Sequence, residues 1–200
     1  GPMRTPSRDL LTAWTAWEQK RLERKYRSFG RGGAGPTWRD FYTGNVSVRR
    51  RALLDVGGFD EDWRRGEDVE LGLRLAQAGL GFRFEPLAAV VHRPERTFEA
   101  WLASAASYGS SNVAMADLAG TPLSSITDSE LFTGRRAPVR VLVSATTERP
   151  RLSGFAAATL RAALKLGTAA RLEPLTDLAL TGLFNLIFFD AMAETLRSRV

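Results

Sequence analysis

Cysteine is absent from the 200-residue chain, which excludes disulfides, thiolate metal sites and cysteine nucleophiles. Histidine occurs once, at His92, and lysine three times against 25 arginines. No long apolar run is free of polar breaks. The longest apolar stretch, residues 175–193, is interrupted by Asp177, Asn185 and Asp190, which suits a buried or interface helix better than a membrane span. Signal-peptide pattern, internal repeats and low-complexity tracts are all missing. Gly1-Pro2 ahead of Met3 reads as the remnant of a protease site. Nothing here calls for an oxidising compartment, and the expected location is cytoplasmic.

What is present describes a soluble globular chain: 44 % of residues are hydrophobic and 25 % charged. Two hundred residues suffice for one domain with a core plus a helical appendage. The net charge of +6 is carried by arginine, which pairs bidentately with phosphate, so a nucleotide or a lipid phosphate is a conceivable partner. The plain reading of that excess is a high-GC genome that writes arginine for lysine, and no nucleic-acid partner is expected.

Hydrophobic spacing organises the chain. Residues 9–29 read as a helix, with Leu10, Trp14 and Trp17 in one stripe that Leu22, Tyr26 and Phe29 continue. Basic residues crowd its second half; the plain reading is a solvated face, and peripheral membrane contact is not favoured. The glycine-rich stretch Gly30 to Pro36 lacks the strand and the lysine of a phosphate-cradling loop and reads as a flexible connector. Trp38 to Arg49 should turn into a strand, since Val46 and Val48 alternate with Ser47 and Arg49. A short helix then ends at Gly57-Gly58, and a second spans about Glu67 to Ala78. Short strands are expected at 82–84 and 88–91, a helix at 98–118, a polar loop at 121–138 and a weak strand at 139–144. Helices at 154–170 and 175–197 complete the chain.

Three carboxylates, Glu67, Asp68 and Glu70, occupy the first turn of the expected second helix. The ordinary reading is charge that complements the helix dipole. Val69, Leu71, Leu73, Leu75 and Ala76, however, leave that helix apolar on nearly every face and mark it as buried. Arg64-Arg65-Gly66 gives it a basic, flexible approach, and an acidic helix start beside a basic loop suits a phosphorylated, hydroxylated ligand. His92 follows an apolar strand, where a lone histidine is more often structural; imidazole is also a common metal ligand.

Four segments in order, spread over about fifty residues, resemble the acceptor-side half of a family 2, GT-A-fold glycosyltransferase. They are Gly44-Asn45-Val46-Ser47-Val48-Arg49, Gly57-Gly58-Phe59-Asp60-Glu61, Glu67-Asp68-Val69-Glu70-Leu71, and His92 after Ala-Val-Val. The resemblance implies inverting transfer. Asp68, with Glu67 beside it, would be the catalytic base, taking a proton from an acceptor hydroxyl as its oxygen attacks the anomeric carbon. His92 would help hold a divalent cation, Mn2+ or Mg2+, that neutralises the departing diphosphate. Gly44, Asn45, Asp60, Arg64, Arg65 and Arg49 would bind substrate, with Arg74 a further candidate for the diphosphate. The partners implied are a nucleotide-sugar and a hydroxylated acceptor.

The sequence also departs from that family. No βαβ pattern and no Asp-x-Asp motif precede Tyr42, and Asp60-Glu61-Asp62 matches a different position. The expected fold is therefore α/β, helix-rich α+β in isolation: the C-terminal half of a GT-A-like domain with a few short strands and a helical extension. The expected organisation is an N-terminal helix and connector (1–37), a catalytic half-domain (38–120), a loop region (121–150) and a helical extension (151–200). The donor-binding half would come from another chain or belong to a longer enzyme. Alternatives are a non-catalytic scaffold and a half-domain turned to other acid–base chemistry. Residues 175–197 are expected to be a partner or self-association surface or, equally, a core helix.

Overall fold

The computed structural model describes residues 1–5, 7, 11–29, 35–63 and 65–199, which form two compact units, Gly1–Glu95 and Arg96–Val200. Both are dominated by helix, and the sheet consists of two short parallel strands in the first unit.

The first unit runs β1 (Met3–Arg4), α1 (Ala13–Phe29), 3-10 turns at Trp38–Asp40 and Thr43–Asn45, α2 (Arg50–Asp55), α3 (Glu67–Gln77) and β2 (Val90–Val91). Met3 pairs with Val90 and Arg4 with Val91, and the His92 amide donates to the Arg4 carbonyl at 2.7 Å. Helix α3 is the centre of this unit. Its Leu71 and Leu75 pack on Phe41, ringed by Val48, Leu53, Val56 and Phe82. Gly72 makes that approach possible: a Cβ there would stand 2.6 Å from the Trp38 carbonyl and 2.8 Å from the Phe41 Cβ. The 3-10 turn beneath it is closed reciprocally by Thr37 and Asp40, and Asp40 also pairs with Lys25 of α1. Tyr26 stacks on Phe84 at 5.3 Å between ring centres and Phe29 meets the same ring at 5.2 Å, so α1 is anchored at both ends of its last turn.

The second unit consists of α4 (Phe98–Leu118), α5 (Glu130–Thr133), α6 (Ala137–Thr146), α7 (Pro150–Ala169) and α8 (Glu173–Arg197). Helix α8 lies between α4, α6 and α7 and buries Leu180, Leu183, Leu186, Phe189 and Met192. It is long and apolar enough to cross a membrane by length and composition, yet half of that apolar window is buried within the protein. Of the residues expected to face a partner, Leu183 and Phe188 are interior and Phe184 and Ile187 half-buried, so the helix serves as core. Helix α4 meets α8 almost backbone to backbone, since a Cβ on Gly109 would fall 2.0 Å from the Phe188 carbonyl oxygen.

Several local expectations differ from the structure. Residues 139–144 are helical within α6 rather than a strand. Pro138 stands in the first turn of α6, where its missing N–H costs nothing, and Val139, Leu142, Val143 and Thr146 fall at helical spacing on the inward side. The expected strand before Arg49 is two 3-10 turns followed by extended backbone with no ladder among the described residues. No strand is formed at 82–84, and β2 is shorter than expected. The segment 121–138, expected as loop, holds a 3-10 turn at Ile126–Asp128 and α5, each headed by a serine. Helix α1 begins at Ala13; Leu10 and most of the glycine-rich connector lie outside the described residues.

The close α4–α8 approach yields an expected outcome. Gly109→Ala overpacks that contact and should lose about 1–3 kcal/mol in an unfolding titration. Gly154→Ala, at a helical position with no atom within 4 Å of the added methyl, should instead gain about 0.5–1 kcal/mol. Equal midpoints for the two variants would contradict the packing described.

Candidate functional site

The start of α3 is set by Gly66, whose φ of 78° lies in the left-handed region that glycine adopts without strain. Gly66 offers no side-chain cap, and the first turn is served instead by Asp68, whose Oδ1 accepts from the Val69 amide at 2.8 Å. The backbone N–H of Thr43 also bears electrostatically on the Asp68 carboxylate, so the Thr43–Asn45 turn lies near the start of α3. Burial pushes the Asp68 pKa above the ordinary aspartate value, and the neighbouring Glu67 charge adds to that. The backbone donors at Val69 and Thr43 pull the other way without cancelling it.

The third carboxylate has a different task. Glu70 is 2 % exposed and meets the Arg74 guanidinium bidentately, with Nε 2.5 Å from Oε1 and Nη2 2.6 Å from Oε2. The remaining donors of Arg74 reach the Val56 carbonyl at 2.5 Å and the Gly58 carbonyl at 2.8 Å. Arg74 is thereby committed to closing the end of α2 and to the Gly57-Gly58 turn, and it is no longer a free candidate for a diphosphate. The i,i+4 spacing of Glu70 and Arg74 was the available sequence signal for this pair.

The other expected site residues are distributed around this centre. The Asn45 side-chain amide donates to the Ala88 carbonyl at 2.7 Å and the Pro2 carbonyl at 3.2 Å, tying together the approaches to β2 and β1. Gly44 lies against Met3, where a Cβ would come within 2.6 Å of the sulfur. Asp60 folds its own loop, accepting from the Asp62 amide at 3.0 Å. Arg65, just ahead of Gly66, and Arg49, at the start of α2, are exposed. Arg64 lies outside the described residues. His92 is exposed at the end of β2, and its ring makes no hydrogen bond or ion pair among the described residues. Thr43, whose backbone donor bears on Asp68, was not among the expected residues: a main-chain group has no side-chain signature.

A divalent cation is not accommodated by these residues alone. Among the described residues no three histidine or acidic side chains converge as a metal would require, and His92 supplies a single nitrogen. A cavity of about 520 Å³ borders the Thr43–Asn45 turn, with Tyr26, Phe29, Tyr42, Asn45, Arg49 and Phe84 in its wall. Glu67, Asp68 and His92 are not part of that wall. The cavity therefore adjoins the carboxylate site without containing it.

A half-buried carboxylate at a glycine-led helix start, near a Thr-Gly-Asn turn, is the arrangement against which the comparisons can be weighed. The family described as glycosyl transferase family group 2 matches residues 7–189. The chain belongs to that family. Among curated relatives, the pre-mycofactocin glycosyltransferase of Mycobacterium tuberculosis is 46 % identical over 71 residues, covering 36 % of this chain and 15 % of that protein. An uncharacterized glycosyltransferase of Bacillus subtilis, YfnE, is 48 % identical over 58 residues, covering 28 % of this chain and 15 % of its own. Validoxylamine A glucosyltransferase of Streptomyces hygroscopicus is 41 % identical over 70 residues, 34 % of this chain and 17 % of that enzyme. The matched stretch is thus a small part of each relative's length. No solved structure matches the chain at a significant level.

Family membership gives the electrostatics of Asp68 a testable consequence. A raised folded-state pKa means that the folded protein binds this proton more tightly than the unfolded chain does. Stability on this account falls as pH rises from the ordinary value of 3.8 through the folded-state value, and the full cost is present at neutral pH. Asp68→Asn, which still accepts from the Val69 amide, should unfold at an equal or higher temperature than the parent at pH 7. The gain should vanish below pH 3.8, where both residues are neutral. A variant clearly less stable at pH 7 would show that the charge is not held against a desolvation cost.

Proposed function

We propose that the first unit is the acceptor-side part of a GT-A-type domain and that it carries out inverting glycosyl transfer from a nucleotide-sugar to a hydroxyl. The observation that carries this reading is the place of Asp68: a half-buried carboxylate at the head of a buried helix, held by the Val69 amide, with burial raising its proton affinity. As the acceptor oxygen bonds to the anomeric carbon, its proton passes to Asp68. The bond from that carbon to the nucleoside diphosphate breaks, and the configuration inverts. A base whose pKa is lifted toward the working pH transfers protons more effectively, and the Val69 amide keeps it oriented and ionised. Glu67 raises that proton affinity by its charge. Arg65 and Arg49, exposed beside the turn and α2, are the cationic groups we assign to the diphosphate.

In this reading the donor half lies outside the chain, in agreement with the absence of an Asp-x-Asp motif before Tyr42 and with the greater length of the relatives. The relatives are named for different compounds, pre-mycofactocin and validoxylamine A. Relatives named for such different compounds support a shared transfer step better than recognition of one acceptor.

The test is release of nucleoside diphosphate from a panel of nucleotide-sugars, with the donor-binding half supplied in cis or in trans. Asp68→Asn should lower kcat by roughly 10²–10⁴-fold with little change in KM, and should remove the acid limb of the kcat/KM profile. Undiminished turnover would sink the base assignment.

A further inference from the structure

We infer that the outward face of α7 docks on the surface of an anionic lipid bilayer. The orientation of α7 is fixed from within. Leu160 packs into Gly182 of α8, a Cβ on Gly167 would come within 2.7 Å of the Thr176 hydroxyl oxygen, and the Ser153 hydroxyl donates to Asp190. Those contacts leave the rest of the helix surface in solvent, and one sector of that surface is apolar. Leu152, Phe155 and Leu166 are 49 %, 74 % and 61 % exposed, and the exposed Ala162 lies in the same sector, with Thr159 the one polar side chain among them. Their spacing of three, four and seven residues places them in one stripe along a helix of about 30 Å, by the rise of about 1.5 Å per residue. A helix in the rim of a water-soluble bundle carries polar residues in that position.

Charge indicates what covers the stripe. At 100° per residue, Arg151 and Lys165 fall along one edge of it, with Arg161 just beyond. Between Arg136 and Arg171 there are seven exposed basic residues against one acid, Glu148. An exposed valine, Val141 at 67 %, stands next to Arg140 on α6. An apolar stripe flanked by long basic side chains is the pattern of a helix lying in the headgroup layer: the rings and methyls enter the acyl boundary while the cations reach the phosphates. A single convex helix face bearing small residues between its large ones offers no groove for a shaped protein partner. A fluid surface of negative charge needs none.

The test is co-sedimentation of the whole chain with vesicles of phosphatidylcholine alone and of phosphatidylcholine with about 30 % phosphatidylglycerol. Binding to the second and not the first, weakened by salt, is the expected result. Phe155→Ser with Leu166→Ser should reduce it at least about tenfold, with helix content and unfolding midpoint retained because both side chains are exposed. Arg151→Gln with Lys165→Gln should reduce it roughly thirtyfold, the effect of two charges at such a surface. Equal sedimentation of parent and variants would overturn the inference. So would a failure of the parent to bind, or a dimer in solution that the Phe155 and Leu166 substitutions dissociate.

Discussion

Glu70 is an acid in the interior of a small unit, and an interior carboxylate can stay charged only if its partner is fixed and fully used. Arg74 meets it bidentately, and its remaining donors take two carbonyls from the end of α2 and the Gly57-Gly58 turn. One side-chain pair thus makes α2, the glycine turn and α3 a single piece. Asp68 stands two residues before Glu70 on the same helix, so its position follows from this pairing. The Thr43 amide that bears on Asp68 is placed by an equally short chain of contacts: Gly72 lets α3 settle on the Trp38–Asp40 turn, and the Thr43–Asn45 turn follows it.

The three carboxylates at the head of α3 differ because their surroundings do. Glu70 has a guanidinium, and Glu67 is half-buried beside Asp68. Asp68 has burial and backbone donors but no cation against it among its perturbing neighbours. Asp68 is therefore held with a strengthened proton affinity. A cationic partner would have lowered its pKa and made it a poorer base. In the proposed reading, placing the arginine one turn further along the helix separates support from chemistry.

The sequence made the long helices legible because their apolar spacing extends over several turns: α4 matches its expected limits, and α7 and α8 extend theirs by a few residues. The errors fall on short segments, where periods of 2 and 3.6 fit equally well. Val139, Val141 and Val143 satisfy a strand, but Val139, Leu142, Val143 and Thr146 satisfy a helix, and packing on α8 favours the second. The pairing of Met3–Arg4 with Val90–Val91 joins residues more than eighty positions apart, and no local pattern encodes it. In the site, the side-chain motif was legible and its partners were not. Asn45 and Gly44 were read as expected substrate contacts, and the structure adds tertiary packing tasks for both that residue type alone does not reveal.

Helices α7 and α8 show that hydropathy does not by itself decide where a helix goes. Helix α8 has the composition of a membrane span and is the interior of its bundle; α7 has fewer large apolar residues and yet leaves an apolar stripe in solvent. The difference lies in where the small residues fall. Gly167 of α7 and Gly182 of α8 admit close contact on one side of each helix, and Gly109 of α4 receives α8 from another. Helix α8 is thus enclosed by neighbours on several sides, whereas α7 is gripped along one line through Leu160, Leu164 and Gly167. Whatever apolar surface α7 carries on its far side remains outside. Its edge of Arg151, Arg161 and Lys165 then decides the kind of surface that can cover it, since a neutral apolar partner would strand those charges and an anionic one would satisfy them.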